Sequence, residues 1–116
     1  MKLVVVLTWL SLVLAGVAHA TTARSGLYGV VVRGPISPMC VAEQPCTKPA
    51  VGAVLVFSRA RHEVARTTVG SGGAYRIRLE PGPYAVRTLH RRVEPATVRV
   101  RSRMRREDFS IDTGIR

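Results

Sequence analysis

Acidic residues, aromatic rings and histidines are scarce in this 116-residue chain, and each scarcity narrows what the protein can do. Of the seven Asp and Glu only Glu107 and Asp108 are adjacent, and in that charged break they read as a solvated turn rather than a glycosidase dyad. The single tryptophan, Trp9, lies in the N-terminal apolar run and offers nothing to a carbohydrate platform. Of the three tyrosines, Tyr75 and Tyr84 have core parity, and the interleaved exposed aromatics of single-strand binders are not evident. His62 and His90 are not at metal-ligand spacing from each other or from cysteine. "HEVAR" from His62 begins like H-E-x-x-H, but Arg66 takes the second ligand position and the segment reads as a strand. "GSGG" lacks the Lys and Ser/Thr of a phosphate-binding loop and leads into a strand, so it is a turn. Ser110 and Asp112 show no spacing to the histidines that assembles a triad. No catalytic residue, metal site or cofactor is expected, and the protein reads as a non-enzyme.

What is present begins with one apolar run. Lys2, the stretch 3–17 and Ala18-His19-Ala20 have the charged start, short hydrophobic middle and A-x-A end of a secretory signal peptide. Fifteen residues that include Thr8 and Ser11 fall short of the ~20 of a spanning helix, so cleavage after Ala20 is expected over a retained anchor. This places the product outside the cytoplasm, secreted or in the cell envelope, with no transmembrane segment after cleavage. Residues 1–20 are then leader, 21–26 a flexible lead-in and 27–116 one domain. Losing Lys2 takes the formal charge from +11 to +10, carried by sixteen arginines and one lysine, Lys48.

Outside a reducing compartment the two cysteines favour a disulfide. Cys40 and Cys46 would close a seven-residue loop in "GPISPMCVAEQPCTKP", worth roughly 2.4 kcal/mol by chain entropy. Zinc would need further ligands and a redox pair usually reads C-x-x-C, whereas this spacing is C-x5-C. Pro35, Pro38, Pro45 and Pro49 stiffen the loop in the same direction.

No segment holds a helical period. Seven runs, 27–34, 51–58, 63–69, 74–80, 84–90, 96–103 and 108–115, are rich in Val, Ile, Thr, Tyr and Phe and separated by Gly, Pro or charged breaks. They predict an all-β protein, a seven-stranded antiparallel β-sandwich. Tyr75, Ile77 and Leu79 alternate with Arg76 and Arg78, and Val98 and Val100 with Arg99, Arg101 and Arg103, giving one core face and one solvent face. "VGAVLVF" is apolar on both faces and suits an interior strand. Pro81-Gly82 has type II turn chemistry. A hairpin centred there would pair Leu79 with Tyr84, Ile77 with Val86 and Arg76 with Arg87.

"TTVGSGGAYRIRLEPGPYAV" resembles the G-x-Y-x-x-x-L-x-P-G-x-Y-x-V signature of carboxypeptidase regulatory-like domains, small seven-stranded sandwiches similar to transthyretin. Read loosely, the resemblance covers Leu27 to Ile115, carried by Gly29, Val30, Val54, Thr67, Gly73, Tyr75, Ile77, Leu79, Pro81, Gly82, Tyr84 and Val86. It implies a Transthyretin-like/Ig-like fold and a non-catalytic accessory or adhesive role. Gly70-Ser71-Gly72 replaces the acidic residue often found before the glycine, so no calcium role carries over.

Arg76, Arg78, Arg87, Arg99, Arg101 and Arg103 are the candidate anion-binding residues, for teichoic acid, anionic lipid, acidic polysaccharide or nucleic acid. Codon drift in a GC-rich genome is the commoner source of such arginine-rich faces. The functional expectation is therefore a secreted or envelope binding module, with polyanion binding as the alternative. The partner is not specified by sequence; anionic envelope polymers and another envelope protein both fit. Cleavage after Ala20 predicts that N-terminal sequencing of exported protein begins at Thr21, whereas membrane-bound chain still starting at Met1 would refute the leader.

Overall fold

A computed structural model describes residues 24–115; the expected leader, 1–20, residues 21–23 and Arg116 lie outside the described residues. The described chain is all-β, with two sheets packed face to face. Each expected run overlaps a strand: β1 (Gly26–Gly34), β3 (Val54–Arg59), β4 (His62–Thr68), β5 (Ala74–Arg78), β6 (Gly82–Arg87), β8 (Thr97–Val100) and β10 (Phe109–Asp112). Three segments of two or three residues add to them: β2 (Lys48–Pro49), β7 (Val93–Glu94) and β9 (Met104–Arg106).

The first sheet is organised around β1. Its first half pairs antiparallel with β5, Leu27 opposite Ile77 and Tyr28 opposite Arg76. Its second half pairs antiparallel with β2. Along its other edge run β9 and β10, both parallel to it and in one continuous register, Gly26 opposite Met104 and Gly34 opposite Asp112. β7 extends this side by pairing with β10. The expectation of a purely antiparallel sandwich is therefore corrected: the chain's first and last strands run the same way, and this sheet is mixed. The ladder skips Glu107 and Asp108, where the Asp108 carboxylate accepts the Val30 N–H at 2.8 Å and the Glu107 N–H donates to the Tyr28 carbonyl at 2.8 Å.

The second sheet is antiparallel, in the order β4-β3-β6-β8. Its inner face presents Leu55, Phe57, Tyr84, Val86, Val98 and Val100 to Leu27, Val31, Tyr75, Ile77, Phe109 and Ile111 of the first. The Phe109 ring, centrally placed, meets Phe57 edge-on at 6.2 Å between centroids and Tyr75 at 5.5 Å. Strand β3 is apolar on both faces, as the sequence leads one to expect. Val56 on its outer side is fully buried between its cross-strand neighbours Arg66 and Arg87, whose aliphatic stems can cover it.

The expected hairpin between β5 and β6 does not form. β5 pairs with β1 and β6 with β3 and β8, so residues 79–81 cross from one sheet to the other. The crossing is held by Leu79 N–H to the Ser25 carbonyl at 3.0 Å and by Ser25 Oγ to the Leu79 carbonyl at 2.6 Å. Ser25 is buried and Gly26 begins β1, so the C-terminal end of the expected lead-in belongs to the fold. The alternation of Tyr75, Ile77 and Leu79 is satisfied either way, because a core face is the same whether two strands share a sheet or face each other across one core. Likewise the Ser71–Gly73 3₁₀ turn joins sheets rather than closing a hairpin. Gly73 there takes φ 81° and packs so close that a Cβ would lie 2.6 Å from the Val31 carbonyl oxygen.

The stapled loop is present. Cys40 and Cys46 form a disulfide with a Cα–Cα distance of 5.5 Å, and the Ile36 N–H donates to the Cys46 carbonyl at 2.9 Å. No helix among the described residues is long and apolar enough to cross a membrane.

The face assignment predicts that Ile77→Ala, which empties a buried position, lowers unfolding free energy in urea by about 2 to 4 kcal/mol. Arg76→Glu, on the solvent side of the same strand, should change it by no more than about 0.5 kcal/mol. The reverse ranking would mean that the strand is inverted.

Candidate anion-binding site

Both three-residue crossovers, 79–81 between β5 and β6 and 101–103 between β8 and β9, lie at the same end of the sandwich. Gly26, where β1 starts, is opposite Arg78 and Met104, while Gly82, where β6 starts, is opposite Val100. The β3–β4 turn reaches the same end, since the Arg59 guanidinium donates to the Pro81 carbonyl at 2.8 Å. Ala60 and Arg61 form that turn with φ 51° and 66°, the left-handed conformation of a two-residue hairpin loop.

The consequence is electrostatic. Arg78, Arg99, Arg101 and Arg103 come together at this end, joined by Arg59, Arg61 and Arg105. All seven are exposed, and among the described residues none takes part in an ion pair. Glu80 is the carboxylate within the crossovers, and Glu63 near the start of β4 is committed to Arg66. The Arg66 guanidinium, bonded to Glu63, holds that carboxyl below its ordinary range. An end carrying several guanidiniums without ion-pair partners concentrates positive potential and offers forked donors to phosphate, sulfate or carboxylate.

Arg59 is the best-anchored member. Its guanidinium stands 4.7 Å from the centroid of the Tyr84 ring, a cation–π contact, besides its bond to Pro81. Gly82 makes the room: a Cβ at that position would lie 1.7 Å from Arg59 Nη2. Tyr84 in turn donates its hydroxyl to the Glu80 carbonyl at 2.6 Å, and burial raises its pKa. The Pro-Gly pair expected as a hairpin turn is thus a crossover shaped around an arginine.

Two of the six sequence-predicted residues stand apart. Arg76 lies on the outer face of the first sheet, in one cross-strand row with Tyr28 and Arg106. Arg87 ends β6 on the outer face of the second sheet, beside Val56 rather than opposite Arg76. The like-charge pair expected between them is corrected, because they occupy different sheets. Sequence reasoning missed Arg59 and Arg61 although they sit in the break between two expected strands; their proximity to Pro81 is visible only after folding. It also missed Tyr28, 41% exposed, as the aromatic flanked by arginines.

Tyr75 and Asp108 complete the local electrostatics. The buried Tyr75 hydroxyl donates to the Glu107 carbonyl, and burial, followed by the charges of Glu107 and Asp108, raises its pKa. The Val30 N–H and then the Arg106 guanidinium, at 3.2 Å, hold Asp108 below the ordinary carboxylate range. Among the described residues no group of three His, Cys, Asp or Glu is placed to hold a metal ion. Compared with known proteins, the chain matches no family model, no curated protein and no solved structure.

Because its folded pKa is depressed, Asp108 contributes stability above its unfolded value of about 3.9 and loses it as pH falls through the folded value. Asp108→Asn should therefore flatten the acid limb of the melting temperature between about pH 4 and pH 2. An unchanged acid limb would show that another carboxylate governs it.

Proposed function

We propose that the protein is a non-catalytic, extracytoplasmic binding module that takes polyanions at the arginine-rich end of its sandwich. The observation that carries this reading is the convergence of Arg59, Arg61, Arg78, Arg99, Arg101, Arg103 and Arg105 from separate elements on one end. Codon drift accounts for the number of arginines, but it supplies them wherever a position is exposed. Gathering them opposes folding through mutual repulsion, and an anionic partner relieves that repulsion.

The leader-like segment 1–20 supports an extracytoplasmic place, and the Cys40–Cys46 disulfide is compatible with one. The seven-stranded, transthyretin-like topology of a carboxypeptidase regulatory-like domain remains part of this proposal. Its support is the motif from Gly73 to Val86, in which Tyr75, Ile77, Leu79, Tyr84 and Val86 all face one core. Such a domain is an accessory or adhesive module, and anionic envelope polymers are the partners that its charge fits.

The test is retention on an immobilised sulfated polysaccharide and on a single-stranded polynucleotide at increasing salt. Replacing Arg99, Arg101 and Arg103 together by Gln should weaken binding and reduce the log–log salt slope by about two, at roughly 0.7 per lost contact for a single strand. Arg87→Gln should leave the slope unchanged. A loss from Arg87→Gln about one third of that from the triple variant, equal per charge removed, would mean that net charge, not this end, governs binding.

A further inference from the structure

At the opposite end of the sandwich lies a cavity of about 620 Å³, within the range of small-molecule sites. Ala50 and Ile111, both buried, line it with Ala53 and Val54. Val51 and Leu89 form its apolar rim and stand 56% and 47% exposed. Single exposed aliphatic residues are ordinary on a protein surface, but these two line one cavity with further apolar residues.

The same cavity has a cationic side. Arg33 comes from the end of β1 and Arg91 from the loop after β6, and Thr113 links the two segments. The Arg91 guanidinium donates to the Thr113 carbonyl at 2.7 Å, while the Thr113 N–H donates to the Gly34 carbonyl at 3.1 Å. The loop carrying Leu89 and His90 is braced by Thr88, whose Oγ1 donates to the Arg91 carbonyl at 2.9 Å and accepts the Arg91 N–H at 2.7 Å. Asp112 is the acidic residue of the lining, and its carboxylate accepts the Gly114 N–H at 2.9 Å.

We propose that this cavity binds a small amphipathic anion, with its acid group at Arg33 and Arg91 and its aliphatic body against Val51 and Leu89. An apolar wall next to two guanidiniums in a hydrogen-bonded frame selects a ligand that is apolar along its length and negative at one end. A neutral alcohol of the same length leaves the guanidiniums without an anion, and a quaternary ammonium is repelled. The site is separate from the arginine-rich crossovers and does not depend on their binding anything.

Decanoate is the probe, measured by calorimetry on the purified, disulfide-intact protein against decanol and decyltrimethylammonium. One saturable decanoate site is expected, with the other two amphiphiles at least about tenfold weaker. Arg33→Gln and Leu89→Asp should each weaken decanoate about tenfold or more, while Arg92→Gln, which removes the same charge from outside this cavity, should not. Val51→Asp gives a second reading if Leu89→Asp alters the melting temperature. Equal binding of all three amphiphiles, decanoate binding indifferent to both apolar replacements, or no saturable binding would each overturn the assignment.

Discussion

The structure depends on β1 being hydrogen-bonded along both edges. On one side it pairs with β5 and β2, and on the other with β9 and β10 in a register that stays constant across the break at Glu107 and Asp108. The second pairing joins residues at opposite ends of the domain, and closing so long a stretch of chain costs conformational entropy before any contact forms. Leu27 and Val31, both fully buried, and Phe109 beside them supply the apolar burial that offsets it. Because the strand is held on both edges, its two ends define the two ends of the molecule.

Those ends have different chemistry. At the start of β1 the crossovers 79–81 and 101–103 are short, so their backbone must turn at the surface and their neighbours are solvated. Arginine tolerates such positions because its stem can lie along apolar surface while its guanidinium stays in water. Arg59 does more, since Tyr84 and the Pro81 carbonyl hold it in place and Gly82 leaves space for it. At the other end the connections are longer. The disulfide and the proline-rich sequence limit the freedom of the loop after β1, while apolar and cationic side chains meet around a cavity.

The fold class was legible because period-two alternation is a property of a single strand. Tyr75, Ile77, Val98 and Val100 face the core as their spacing requires, and the seven runs each overlap a strand. Arg78, Arg99, Arg101 and Arg103 were legible as exposed for the same reason, and the cysteine pair as a staple from its spacing in a proline-rich loop. Partner choice was not. A hairpin and a crossover at Pro81-Gly82 bury the same residues, so the local pattern cannot separate them, and the wrong choice placed Arg76 opposite Arg87.

From sequence alone follow the faces of the strands, the excess of arginine and the disulfide-closed loop. Each rests on chemistry within a few residues: alternation, fixed proline φ, side-chain charge and a short cysteine spacing. Only the tertiary structure decided that β1 runs parallel to the last strands, that β5 and β6 belong to different sheets, and that Arg59, Arg61 and Arg105 share an end with Arg78, Arg99, Arg101 and Arg103. The reason is competition for edges. β5 can hydrogen-bond to β6 or to β1 with equal local geometry, and burial of Leu27 and Val31 on the inner face of β1, a non-local quantity, favours β1.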